Sequence, residues 1–192
     1  LTIAVGIAEA LGTRAFNALY GNRIECLSPA FQDEVALENL AYAAQAAQRI
    51  GATVLIEPVS GAPRYPVKTA ADAIQILERV RVDAGPANLR VLADVYHLYA
   101  NGDDVAGALR ALADRVGHVQ IADAPGRGEP GTGEVPLDAY LGILLENGYG
   151  GYVGLEYKAS RPDTFDWLPP AERGGGGVNI ESLAAPAGTR TQ

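Results

Sequence analysis

Residues 89–122 read LRVLADVYHLYANGDDVAGALRALADRVGHVQIA. Two short apolar runs, LRVLAD and GHVQIA, flank a segment in which Val105, Leu109 and Leu112 recur at helical spacing, so the stretch reads as strand, helix, strand. Both runs are apolar nearly throughout and do not alternate with polar residues. That is the pattern of a parallel sheet with helices on one side and a filled barrel interior on the other.

Outward from this unit the same alternation repeats. Strands are expected at 14–20, 52–57, 89–94, 117–122 and 151–157, and helices at 33–50, 69–82, 103–115 and 137–147. Boundary residues agree: Gly51 stops the first of these helices, Thr69 with Asp72 resembles a capping box, and Asp103 opens the next helix as its N-cap. The leading run LTIAVGIAEALG (1–12) carries Glu9 and has no basic segment before it, so it reads as a core-facing helix and not as a signal peptide. Turn signals every 8–12 residues, which a β-sandwich needs, are absent.

Polar residues close four of the strands, at 57, 94, 120 and 156, with gaps of 37, 26 and 36 and a mean of 33 residues. A (β/α)8 TIM barrel spends roughly 31 residues per unit, so the expected fold is α/β, with about the last five units of such a barrel. Three further units, roughly 90 residues, would close it. The sequence has no methionine and its first residue lies inside a helical pattern, so the chain is expected to start late in a longer protein. Residues 1–168 are read as one domain, and 169–192, PPAERGGGGVNIESLAAPAGTRTQ, as a disordered tail. The segment 123–136, DAPGRGEPGTGEVP, sits in a βα connection, where barrels build active sites, and is read as a functional loop.

Composition narrows the function. A chain of 192 residues with 48% hydrophobic content can bury a core, and no stretch reaches the ~18 apolar residues that span a bilayer. A formal charge of −8 argues against nucleic acid, whose binding draws on Lys and Arg. One cysteine and two histidines exclude an internal disulfide and a Cys/His zinc site, which suits a reducing cytoplasm.

In a TIM barrel the C-terminal strand ends face the substrate. One buried carboxylate there is often structural, capping a helix or pairing with an arginine; Glu57, Asp94, Gln120 and Glu156 together point to a site. Three converging carboxylates repel one another unless a cation neutralises them, and oxygen ligands suit Mg²⁺ or Mn²⁺. The amide oxygen of Gln120 completes the ligand set, and Glu57 and Glu156 form the natural acid and base pair for moving a proton between adjacent carbons.

Five motifs carry a family resemblance: IEP (56–58), DVYH (94–97), GHVQIAD (117–123), RGEPGTGE (127–134) and GLEYK (154–158). Together they resemble the hydroxypyruvate isomerases of the xylose-isomerase-like TIM barrel superfamily, over about residues 1 to 167. The resemblance implies interconversion of hydroxypyruvate and tartronate semialdehyde through an enediolate, with Glu57 and Glu156 as the catalytic pair. It also implies a place in glyoxylate metabolism. Ketose 3-epimerases of the superfamily are similar but use histidine where this chain has Gln120, which favours the isomerase.

Three more residues are candidates for a small hydroxy or oxo acid substrate: His97 for a substrate oxygen, and Arg127 and Lys158 for the carboxylate, with surface ion pairs to Glu129, Glu134 or Asp123 as the alternative for the two cations. His118, on the face of Gln120, is either support for the site or packed core. RGEPGTGE lacks the GK[ST] ending of a phosphate loop. The competing readings are a ketose 3-epimerase, a multi-zinc DNA-repair enzyme, which two histidines and the acidic charge disfavour, and a non-catalytic fragment whose open strand edges leave a homo-oligomer open.

Overall fold

The structure, a computed structural model, describes residues 1–82, 88–170 and 173. Five parallel strands, β1 (Ala15–Asn17), β2 (Thr53–Ile56), β3 (Leu89–Asp94), β4 (Val116–Ile121) and β5 (Val153–Leu155), lie side by side in chain order. Six helices accompany them: α1 (Thr2–Leu11), α2 (Pro29–Gln48), α3 (Ala70–Val82), α4 (Val95–Ala100), α5 (Val105–Leu112) and α6 (Leu137–Glu146). This is the expected order of βα units along an incomplete barrel. Most of the expected tail, 169–192, lies outside the described residues.

Side-chain alternation divides the sheet. Val54, Ile56, Val91, Ala93, Val119 and Ile121 pack with Leu40, Ala44, Ile76, Leu77 and Leu109 of the helices. Burying each large aliphatic contributes about 1.5–3 kcal/mol. The intervening positions, Leu55, Leu92, His118 and Gln120, therefore turn to the barrel side, and so do Asn17, Glu57, Asp94, Gly154 and Glu156 by the same period of two.

Helix starts follow local chemistry. Ser28 Oγ accepts from Phe31 N–H (3.2 Å) and Pro29 occupies the first turn, so α2 begins four residues earlier than expected. Thr69 and Asp72 do form a capping box, with reciprocal bonds of 2.9 and 3.1 Å. Asp103 is not the cap of α5. Asp104 takes that place, accepting from Gly107 N–H (3.1 Å), while Asp103 reaches across to cap α3 at Ala70 N–H (2.9 Å).

Two further expectations fail. Helix α1 is present but not core-facing: Ala8 is buried, whereas Ile3, Ile7 and Leu11 are exposed. Among the described residues α1 packs on α2. The outer strands β1 and β5 have three residues each, against seven expected for each, and among the described residues each pairs on one side only. No helix among the described residues is long and apolar enough to cross a membrane.

Candidate metal centre at the strand ends

Glu57 follows the last residue of β2, its side chain in the barrel interior and the residue 5% exposed. Asn17 Nδ2 donates to its Oε2 at 2.6 Å, and Tyr65 Oη donates to its backbone carbonyl at 2.9 Å. Burial pushes the Glu57 carboxyl up to about 7, and the charges of Asp94 and Glu156 add to the rise; the Asn17 bond opposes it.

Asp94 closes β3, 1% exposed, and serves two ends. Its Oδ1 accepts from His97 N–H (3.2 Å) and so caps α4, a helix the sequence reading lacked. Its Oδ2 faces the barrel, 3.7 Å from His97 Nε2. Burial raises its pKa too.

Gln120 lies opposite Asp94 in the β3–β4 ladder and opposite Gly154 in the β4–β5 ladder. Its Oε1 is buried and has no hydrogen-bond partner. Such an orphan is costly, about 1–3 kcal/mol, unless a cation or donor meets it. Gly154 makes room for it: a Cβ there would lie 3.0 Å from His118 Nε2 and 3.2 Å from Gln120 Cγ. His118 is accordingly half-buried beside Gln120, its pKa lowered by burial.

Glu156 follows β5, its side chain 45% exposed. Arg127 holds it: Nη2 is 2.6 Å from Glu156 Oε1 and 3.4 Å from Asp94 Oδ2, and Nε donates to the Glu156 carbonyl at 2.9 Å. The expected alternatives for Arg127, pairs with Glu129, Glu134 or Asp123, are not what it makes. Asp123 instead accepts backbone N–H groups of Ala124, Gly131, Gly133 and Val135 at 2.8–3.0 Å, which folds the 123–136 loop around one buried carboxylate. Glu129 accepts from Ser160 N–H and Oγ. The side chain of Lys158 is exposed, and its backbone N–H donates to Arg127 O (2.7 Å).

Glu57, Asp94 and His97 offer ligand atoms within 4.8 Å of one another, a grouping that fits a divalent metal. Among these, His97 is the least suited to ligation. Ser60 N–H donates to its Nδ1 (3.1 Å), which assigns the proton of the neutral ring to Nε2, and Ser60 Oγ lies 2.7 Å from the same Nδ1. Burial holds its pKa down at about 4, with the Arg127 charge adding to the effect, so the ring is neutral. Nε2–H is thus a donor aimed past Glu57 Oε1 (3.9 Å) and Asp94 Oδ2.

Asn17 and Ser60 were absent from the sequence reading. Asn17 ends β1, so every one of the five strands closes on or next to a polar residue; a strand expected to run to residue 20 hid it. Ser60 carries no local signal.

This fold and site define the class, and comparison gives the family. Residues 2–175 match the model of the xylose isomerase-like TIM barrel family, and the chain belongs to that family. A putative hydroxypyruvate isomerase of Streptomyces coelicolor is 48% identical over 178 residues, covering 90% of this chain and 64% of the relative. A 2-oxo-tetronate isomerase of Cupriavidus necator is 39% identical over 138 residues, 70% of this chain and 52% of the relative. A crystal structure described as AP endonuclease, family 2, from Brucella melitensis superposes with TM-score 0.80 at 31% identity, over 88% of this chain and 65% of that one. The chain thus spans a little over half to two thirds of the length of these proteins.

Proposed function

We propose that this chain carries the site of a metal-assisted isomerase that interconverts hydroxypyruvate and tartronate semialdehyde. The observation that carries the reading is the buried, unpartnered Gln120 Oε1 on β4, whose residue pairs with Asp94 on one side and on the other with Gly154, two residues before Glu156. The 48% identical relative, named a putative hydroxypyruvate isomerase, and a 34% identical one from Escherichia coli named hydroxypyruvate isomerase support the substrate.

A divalent ion held by Glu57, Asp94, Gln120 and Glu156, Mg²⁺ or Mn²⁺ by the hardness of the oxygens, would polarise the substrate's adjacent carbonyl and hydroxyl oxygens. The protein's own groups move the proton. One glutamate, Glu57 or Glu156, takes a proton from C3 of hydroxypyruvate, and a proton returns at C2 of the resulting enediolate while the hydroxyl proton passes from O3 to O2. Burial raises the Glu57 carboxyl to about 7, and a bound cation would favour its ionised, proton-accepting form. His97 Nε2–H donates to a substrate oxygen, and Arg127, with Lys158 beside it, meets the carboxylate.

A four-carbon 2-oxo acid is the second substrate reading, favoured by the 39% identical 2-oxo-tetronate isomerase. The test is turnover of hydroxypyruvate, 2-oxo-tetronate, fructose and tagatose in Mg²⁺ or Mn²⁺ and in EDTA. Acid turnover that EDTA abolishes is expected. Turnover of the ketoses alone would replace the reading with a 3-epimerase, and full activity in EDTA would remove the metal.

A further inference from the structure

A buried acid cluster needs positive charge whether or not a metal is present, because converging carboxylates are costly to desolvate together. In this chain the charge comes from Arg127. One nitrogen, Nη2, contacts Glu156 Oε1 at 2.6 Å and Asp94 Oδ2 at 3.4 Å, acids that belong to the strands on either side of β4. The rest of the residue is held in place. Its Nε donates to the Glu156 carbonyl, its own carbonyl accepts from Lys158 N–H, and its guanidinium lies 5.4 Å from the centre of the Tyr96 ring. Its backbone adopts φ +61°, a conformation few residues other than glycine take, on a loop that the four Asp123 bonds fix. The loop therefore delivers the guanidinium to the acids.

We infer that Arg127 is the resident counter-ion of this site: without metal its guanidinium fills the cation's place between Asp94 and Glu156, and it has to leave them for a metal to bind. The inference rests on the metal site proposed above. Arg127 is then a positioning residue in the metal-free protein, gathering two ligands that would otherwise repel.

The experiment measures Mn²⁺ affinity of the full chain and of Arg127→Gln and Arg127→Lys by the electron paramagnetic resonance of free Mn²⁺, with melting temperatures in EDTA and in saturating Mn²⁺. Arg127→Gln is expected to bind Mn²⁺ about tenfold tighter, the scale of one partly exposed charge pair. Arg127→Lys keeps the charge but loses the bond to the Glu156 carbonyl, and is expected to fall between the two. Arg127→Gln should melt below wild type in EDTA and match it in Mn²⁺; a purely structural arginine would lower both.

Equal or weaker Mn²⁺ binding by Arg127→Gln overturns the inference and leaves the metal site standing. Arg127→Lys indistinguishable from wild type reduces the effect to distant charge and overturns it as well. If Arg127→Gln does not fold, the lysine variant decides alone. No Mn²⁺ binding by wild type removes both the inference and the metal reading.

Discussion

The middle strands and the outer strands of this sheet present the same kind of group by different means. Glu57, Asp94 and Gln120 leave β2, β3 and β4, which pair on both sides, and the two acids are buried to 5% and 1% exposure. Their positions come from the ladder and from backbone contacts such as the Asp94 cap on α4. Asn17 and Glu156 leave three-residue strands that pair on one side, and side-chain bonds hold them: Asn17 to Glu57, Glu156 to Arg127. The centre is thus strained by buried charge, while the edges are fixed by offsetting it.

The sharpest way to break this comparison is to neutralise one glutamate from each region. Both Glu57→Gln and Glu156→Gln should lower turnover about a thousandfold, within the range for a lost acid or base. Their stabilities should part. The carboxyl of Glu57 rises from 4.5 to about 7 on folding, so the native state binds more protons between those values and its stability falls as pH rises through that window. At pH 8 the ionised group costs stability in full, and Glu57→Gln should melt higher than wild type in EDTA. Glu156→Gln loses a charge that Arg127 already offsets and should melt no higher. Equal gains in both variants would erase the distinction between centre and edge.

A smaller effect follows from the same carboxyl. Protons compete with metal for Glu57, so Mn²⁺ affinity should fall about tenfold per pH unit below pH 7 and flatten above it. His97, held near 4, stays neutral through that range and adds no slope. A Mn²⁺ affinity that is flat from pH 5 to 8 would mean that Glu57 is not a ligand.

How far the sequence revealed this division depends on range. The strands at the centre were legible because a continuous apolar run buried on both faces leaves its closing polar residue conspicuous, as with Glu57 after VLI and Asp94 after VLA. Edge strands carry a weaker pattern: β1 shrank to AFN, and its closing Asn17 lay inside the expected strand. The partners of Arg127 were missed because they are 33 and 29 residues away in sequence, and no local rule selects Asp94 and Glu156 over the nearer Glu129 or Asp123. Likewise Asp103 and Asp104 are equal N-cap candidates in sequence; the contact of α3 with α5 assigns one to each helix.

Asn17 gives the smallest expected effect and the most direct probe of the edge. Its Nδ2 holds Glu57 Oε2 at 2.6 Å, which leaves Oε1 as the oxygen nearest His97 Nε2 and so the one available to metal or substrate. An N–H donor stabilises the ionised carboxylate, so its removal should move the Glu57 titration, followed by the ¹³C shift of its carboxyl, above about 7. Asn17→Ala should raise that midpoint by a fraction of a unit and lower kcat about fivefold, with little change in melting, since Asn17 is exposed. Asn17→Asp keeps the shape but turns the donor into a second carboxylate, and should raise the midpoint further and cost more kcat. If the alanine variant were the worse of the two, Asn17 would be acting through packing. The edge would then hold Glu57 by shape, and the contrast with the ladder-held centre would disappear.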